Sequence, residues 1–152
     1  MKRNLRFALI LLVLPAATAL GEGGPLATYA PTLSPETAVL IAGADVEAGA
    51  RTFERKCAQC HDGAKDGGHS KGPHLWNVIG RKAGSAPGFN YSNAMRGSGH
   101  TWNYATLDYF LSDTERAVPG RAMDLTGLPD AKMRAAVIAY LRTLGDNPPP
   151  LP

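Results

Sequence analysis

Two cysteines and a histidine stand within five residues of one another, in the segment Cys57-Ala58-Gln59-Cys60-His61. In a C-x-x-C-H segment the two thiols can add to the two vinyl groups of haem, and the adjacent imidazole can reach the iron from the same side. The spacing suits this chemistry because the macrocycle fixes the distance between its vinyl groups, and one turn of chain spans it. The motif predicts one covalent haem c bound by Cys57 and Cys60, with His61 as an iron ligand.

Three other uses of the two cysteines have weaker support in the sequence. A thioredoxin-like dithiol usually lies in a strand–helix context, and no strand pattern precedes Cys57. A zinc site needs four ligands, and the chain has no second cysteine pair. A structural disulfide is compatible with an exported protein, but it gives no role to His61.

Three segments carry the apolar spacing of three and four residues that is typical of amphipathic helices. They run from Asp45 to about Lys56, from about Tyr104 to Ser112, and from about Asp130 to Leu144. Gly49 lies on the apolar face of the first segment although glycine has a poor helix propensity. Close approach by another element would explain why a glycine stands there. The glycine-rich stretch 61–103 shows no strand alternation. The sequence therefore predicts an all-α fold whose three main helices and long loops surround the haem.

The composition narrows the functional class. The chain has 152 residues, of which 44% are hydrophobic and 19% are charged, as expected of a globular domain with a short appendage. A net charge of +3 is too small to indicate nucleic-acid binding. No apolar run reaches the roughly 20 residues of a membrane-spanning helix.

The N-terminus resembles an export signal. Three of the first six residues are basic, the run Phe7–Leu14 is apolar, and Ala17–Ala19 fits the small-x-small cleavage rule. We interpret residues 1–19 as a signal peptide cleaved after Ala19, which places the protein in the periplasm. The alternative is an uncleaved anchor, because the apolar stretch extends to Leu20.

The rest of the chain divides into three parts. Residues 20–43 contain several prolines and glycines without periodicity, which indicates a linker or a disordered arm. Residues 44–145 form the predicted compact domain. Residues 146–152 are a proline-rich tail that cannot continue a helix, and we expect it to fray.

A second iron ligand has to come from elsewhere in the domain. Met133 lies on the apolar stripe of the third helix, so we expect it to pack in the core. Met123 follows Pro119-Gly120 in an irregular segment that is free to point its thioether inward. The full set of candidates is Met95, Met123, Met133, His69, His74 and His100.

Besides the C-x-x-C-H segment, the domain carries six further motifs in order: Gly72–Leu75, Gly80–Gly84, Gly88–Ser92, Thr101–Trp102, Pro119–Met123 and Val137–Leu141. With these motifs it resembles class I cytochrome c, of the mitochondrial and alphaproteobacterial soluble type. The resemblance implies a fold wrapped round one haem, in which the first and last of the three main helices cross with Gly49 and Phe53 against Tyr140.

The resemblance also implies roles for the candidate ligands. It makes Met123 the second iron ligand, places Met95 in the wall of the haem pocket, and makes His69 a tie between two loops. We expect His74 and His100 to be exposed polar residues.

A further set of residues would surround the cofactor. The resemblance implies that the Pro73 carbonyl accepts a hydrogen bond from the second ring nitrogen of His61. It also implies that Arg81, Tyr91 and Trp102 bond or neutralise the haem propionates, because an unpaired buried charge is costly.

These features predict an electron carrier and not an enzyme. We expect it to shuttle one electron between redox partner proteins, the donor and acceptor complexes, which dock at the exposed haem edge. We expect a monomer that binds no nucleic acid and keeps no spanning segment after signal cleavage. One alternative is a haem enzyme or gas or peroxide sensor with a labile methionine. Another is an electron-transfer subunit tethered by its uncleaved N-terminus.

Overall fold

The structure, a computed structural model, describes residues 24–152. The predicted signal peptide lies outside these residues. The described part is helical and contains no strand, only two isolated β-bridges, which confirms the predicted all-α class. Its helices are α1 Pro25–Thr28, α2 Pro35–Ala42, α3 Val46–Lys56, α4 Asn93–Ser98, α5 Tyr104–Ser112, α6 Thr114–Ala117 and α7 Ala131–Thr143.

The three predicted helices correspond to α3, α5 and α7. Each begins at a polar side chain that accepts a hydrogen bond from a backbone N–H three residues later, which satisfies a donor with no partner inside the helix. These capping residues are Asp45, Asn103 and Asp130. Among the described residues, none of the helices has the length and apolar composition to cross a membrane.

Helices α3 and α7 cross at Gly49. A Cβ atom at this position would lie 2.0 Å from the Ala136 carbonyl oxygen and 2.9 Å from Tyr140 Cβ, so only glycine allows this approach. The Phe53 and Tyr140 rings pack beside the crossing with their centroids 5.2 Å apart. The sequence predicts a contact between the first and last of the three main helices, which are α3 and α7, and this contact is thereby confirmed.

The N-terminal arm packs onto the domain. Helix α2 lies against α7, and α1 contacts α4 and α6. Leu26 and Ile41 are only 2% and 1% exposed. The interpretation as a linker or disordered arm is therefore wrong for residues 24–43. Pro25 and Pro35 stand in the first turns of short helices, where the missing N–H costs nothing, so these prolines start helices and do not prevent them.

The buried arm leads to a first prediction. Leu26→Ala should lower the free energy of unfolding by about 2–5 kcal/mol, because it leaves a cavity beneath α1. Val39→Ala in α2 is the control, since Val39 is 72% exposed and its loss should change stability by no more than about 0.5 kcal/mol. Denaturant unfolding of the haem-loaded protein measures both values. Equal effects of the two variants would contradict the packed arm.

The prediction that Met133 packs in the core is wrong. Its side chain is 37% exposed, whereas the next residue, Arg134, is buried. The Arg134 guanidinium donates to the Asp108 carboxylate at 2.6 Å and to the Leu128 carbonyl at 2.8 Å. Apolar periodicity missed this arrangement because a paired arginine can occupy a buried position that the pattern assigns to apolar residues.

The C-terminal tail is also held in place. The Pro149 carbonyl accepts from Arg142 Nε at 2.6 Å, and the Pro150 carbonyl accepts from the Tyr104 hydroxyl at 3.0 Å. The expectation of fraying is therefore wrong as far as Pro150. A proline-rich segment cannot bond to itself as a helix does, but its carbonyls remain free to accept from the domain.

Asp146 fastens the start of this tail to the domain. Its carboxylate accepts hydrogen bonds from the side chains of Lys65, Trp76 and Asn77. The bonds from Lys65, Asn77 and Trp76 lower the pKa of Asp146 from 3.8 to about 2. The ionised carboxylate therefore stabilises the folded chain above the unfolded pKa of 3.8, and this contribution is lost as pH falls through about 2.

We accordingly expect Asp146→Asn to lower stability at neutral pH, with a difference from the wild type that shrinks as pH approaches about 2. Chemical unfolding at a series of pH values measures the difference. Asp66→Asn serves as the control, because Asp66 follows Lys65 in the same loop and its side chain makes no hydrogen bond or ion pair among the described residues. A difference that stays constant across this pH range would contradict the assignment.

Candidate haem-binding cleft

A cleft of about 340 Å³ opens between the loops and the helices α5 and α7. Its wall is mostly apolar, with Val78, Leu107, Phe110, Val137 and Leu141 among its residues. All eight site residues predicted from the sequence line this single cleft: Cys57, Cys60, His61, Pro73, Arg81, Tyr91, Trp102 and Met123.

The cysteines lie in a tight turn that follows α3. The Cys57 carbonyl accepts from the backbone N–H of Cys60 at 3.0 Å and of His61 at 2.9 Å, which turns all three side chains toward the cleft. Both thiols are free, and burial raises the pKa of Cys57 to about 11. A redox dithiol needs a lowered thiol pKa, so this environment disfavours a thioredoxin-like use.

The His61 ring is oriented by the backbone of Gly72 and Pro73. Its Nδ1–H donates to the Pro73 carbonyl at 2.7 Å, so the neutral ring keeps a lone pair on Nε2. Burial lowers the pKa of His61 and outweighs the opposing effect of the Pro73 bond, which favours the neutral form that binds metals. A Cβ atom at Gly72 would lie 2.4 Å from His61 Cε1, so glycine is needed for the ring to pack here.

The three methionines among the described residues differ in whether they line the cleft. Met95 and Met123 line the cleft, whereas the exposed Met133 does not. Met95 lies within α4 and is 9% exposed. Met123 is half-buried in an irregular segment between α6 and α7. The cleft therefore reduces the candidate sulfur ligands to two.

None of the other histidines lines the cleft. His69 joins two loops as expected, with its Nε2 2.8 Å from the Pro87 carbonyl. The expectation that His74 and His100 are exposed is wrong, because both are half-buried. The His74 ring packs on His69, and the His100 ring packs edge-on against Trp102 with centroids 4.2 Å apart.

The polar side chains of the wall include the three that were expected to meet the propionates, Arg81, Tyr91 and Trp102. The Arg81 guanidinium donates to the carbonyl of His74 at 2.9 Å, and burial lowers its pKa. The Tyr91 hydroxyl accepts from the Ala86 N–H at 3.3 Å, which leaves its own proton for another acceptor. Burial raises the pKa of Tyr91 and keeps the hydroxyl protonated. With the Trp102 indole, these groups offer N–H and O–H donors to acidic groups in the cleft.

Sequence reasoning overlooked two contributions to the wall. Val78 is 4% exposed and lies in the stretch treated as coil, although its spacing of three from Leu75 is a weak apolar signal. Arg121 is the second contribution. Its side chain is 9% exposed and forms part of the cleft, which no local pattern indicates.

The residues present fit a covalently bound haem. An apolar cleft suits the macrocycle, Cys57 and Cys60 supply two thiols, and His61 supplies a neutral imidazole in the same wall. The donors of Arg81 and Tyr91 suit the propionates, which are the only charged groups of the porphyrin edge.

Comparison with known proteins agrees with this geometry. Residues 46–145 match the family model "Cytochrome c". The chain is 43% identical to a cytochrome c of Gibberella zeae over 102 residues, covering 67% of this chain and 96% of that protein. It is 44% identical to a cytochrome c2 of Rhodomicrobium vannielii over 107 residues, covering 70% and 85% respectively.

A further relative is longer than the matched region. A "Cytochrome c homolog" of Bradyrhizobium diazoefficiens is 42% identical over 114 residues, which cover 74% of this chain but 61% of that protein.

The chain belongs to the cytochrome c family. Members of this family are single-haem electron carriers with covalently bound haem c and are not enzymes, so the predicted class and cofactor are confirmed.

Proposed function

We propose that this protein is an exported c-type cytochrome that shuttles one electron between membrane or periplasmic redox complexes, with His61 and Met123 as its axial ligands. One observation carries the proposal. The His61 imidazole, which keeps a lone pair on Nε2, and the Met123 thioether line the same cleft. The match of Pro119–Met123 to the ligand segment of related cytochromes favours Met123 over Met95.

This ligand set suits electron transfer. The haem, when bound, supplies a one-electron iron couple. Two neutral side-chain ligands allow both iron states to remain six-coordinate, so little has to move when an electron arrives. A thioether also raises the reduction potential relative to a second imidazole. The apolar wall excludes water, which further limits reorganisation around the cofactor.

The N-terminal sequence supports the export part of this proposal. The apolar run Phe7–Leu14 and the sequence Ala17–Ala19 support a cleaved signal and a periplasmic location. We propose that a monomer docks with its donor and acceptor proteins at the exposed haem edge. Mass determination of the native N-terminus distinguishes cleavage after Ala19 from a retained anchor.

Matched methionine variants test the ligand assignment. The ferric wild type should be low-spin, show the methionine–iron charge-transfer band, and bind carbon monoxide poorly when reduced. Met123→Leu should abolish the band, open the iron to carbon monoxide and lower the potential by on the order of 0.1 V, within the range that axial ligands control. Met95→Leu removes the other sulfur of the cleft at similar volume and should keep the band.

Two outcomes would contradict this proposal. Loss of the band in Met95→Leu, but not in Met123→Leu, would move the ligand to Met95. A resting wild type that is five-coordinate, or that binds carbon monoxide readily, would favour the haem enzyme or gas-sensor alternative.

A further inference from the structure

Arg121 is a cation in the wall of the cleft, two residues before Met123, and only 9% of its side chain is exposed. Its guanidinium donates from Nε to the Thr114 hydroxyl at 2.7 Å and from Nη2 to the Leu125 carbonyl at 3.3 Å. Its Nη1 pairs with the Glu115 carboxylate. One side chain therefore connects helix α6 with the chain on the far side of Met123.

The segment around Met123 has few other attachments. Arg121, Met123 and Leu125 are partly buried, whereas Ala122 and Asp124 between them are exposed. Within the described chain, residues 122–125 take part in no backbone–backbone hydrogen bond. Side-chain bonds must therefore supply most of the order in this segment.

Those side-chain bonds converge on Leu125. Its carbonyl accepts from both the Arg121 guanidinium and the Thr114 hydroxyl. Thr114 is fully buried and also accepts from Arg121, so the three residues form a closed set of hydrogen bonds. Met123 lies in the middle of the five-residue loop that this set closes.

We propose that Arg121 is a positioning residue that closes the 121–125 loop and holds the Met123 thioether at the iron. This inference rests on the proposed ligation by Met123. A guanidinium suits the task because its rigid, planar set of donors reaches acceptors on both sides of the loop at once. A lysine at this position keeps the positive charge, but its three N–H donors all come from one nitrogen, so it does not span the acceptors on both sides of the loop as the guanidinium does.

Two variants separate this role from a general effect of charge. Arg121→Lys keeps the charge and removes the fork of donors. Thr114→Val keeps the charge and the approximate shape and removes the hydroxyl that joins Arg121 to Leu125. Arg116→Lys is the matched control, because Arg116 is an exposed residue of α6 whose guanidinium contacts Ser112 and Tyr109 and not the loop.

The experiment measures imidazole binding to the ferric, haem-loaded protein. Imidazole binds only when Met123 leaves the iron, so its apparent affinity reports the fraction of molecules with an open loop. We expect Arg121→Lys and Thr114→Val each to raise this affinity about tenfold, the effect of losing roughly one charge-assisted hydrogen bond. Arg116→Lys should match the wild type. The charge-transfer band should weaken in the same two variants.

The outcomes distinguish the inference from the function on which it rests. A wild type without the charge-transfer band would overturn ligation by Met123 itself. A wild type with the band, together with imidazole affinities of Arg121→Lys and Thr114→Val equal to that of Arg116→Lys, would overturn the role of Arg121 alone. Denaturant unfolding is recorded in parallel, and a loss of global stability with unchanged imidazole affinity would likewise overturn the positioning role.

Discussion

Replacing Cys57 and Cys60 together with serine is expected to give a protein from which acid–acetone extracts all of the haem. Both free thiols line the cleft beside His61, and a hydroxyl does not form the thioether that a thiol forms with a vinyl group. Each single serine variant should retain haem through the remaining thioether. Acid–acetone extraction followed by mass spectrometry of the chain measures the bound fraction.

Gln59→Ser is the matched control for the cysteine variants. It introduces the same side chain between the two cysteines, at an exposed position outside the cleft wall. It should retain haem as the wild type does. Haem that remains on the chain in the double cysteine variant, or that leaves the Gln59→Ser variant freely, would contradict attachment through these thiols.

Gly49→Ala is expected to have the largest effect on folding. Alanine favours helix over glycine by about 1 kcal/mol, so propensity alone predicts a more stable protein. The new Cβ would, however, lie 2.0 Å from the Ala136 carbonyl oxygen, and a backbone atom cannot move aside without shifting α7. Such overpacking costs about 3 kcal/mol or more, so the clash should outweigh the gain in propensity.

This displacement should also reach the cleft. Val137 and Leu141 of α7 form part of its wall, so a shift of α7 should loosen the haem environment as well as lower stability. Denaturant unfolding and the haem absorption spectrum measure the two effects. Gly68→Ala is the control, because a Cβ there would meet no atom within 4 Å. A Gly49→Ala protein as stable as the wild type would contradict the close helix crossing.

Much of the site was predictable because its chemistry is local. The order Cys57-x-x-Cys60-His61 specifies two thiols and an imidazole within one turn, and a single turn of chain places them on one wall. Gly49 was informative for the same reason, since a glycine on an apolar helix face indicates close approach even before the approaching element is known.

The errors came from residues whose environment depends on distant partners. Met133 was expected in the core, yet Arg134 is buried because Asp108, far away in the sequence, neutralises it. Pro25 and Pro35 suggested an unstructured arm, yet they begin helices whose apolar side chains pack against α4, α6 and α7. Periodicity describes one element at a time and carries no information about the surface that an element meets.

By itself, the sequence determined the cofactor chemistry, the three main helices and the residues that could serve the haem. The tertiary structure alone decided which of these residues share a cleft, that the arm packs on the domain, and that Arg121 connects both sides of the loop carrying Met123. The physical reason is the separation in sequence between the groups that interact. Covalent attachment and helix formation depend on spacings of three or four residues, whereas burial and ion pairing depend on segments that only the complete fold brings together.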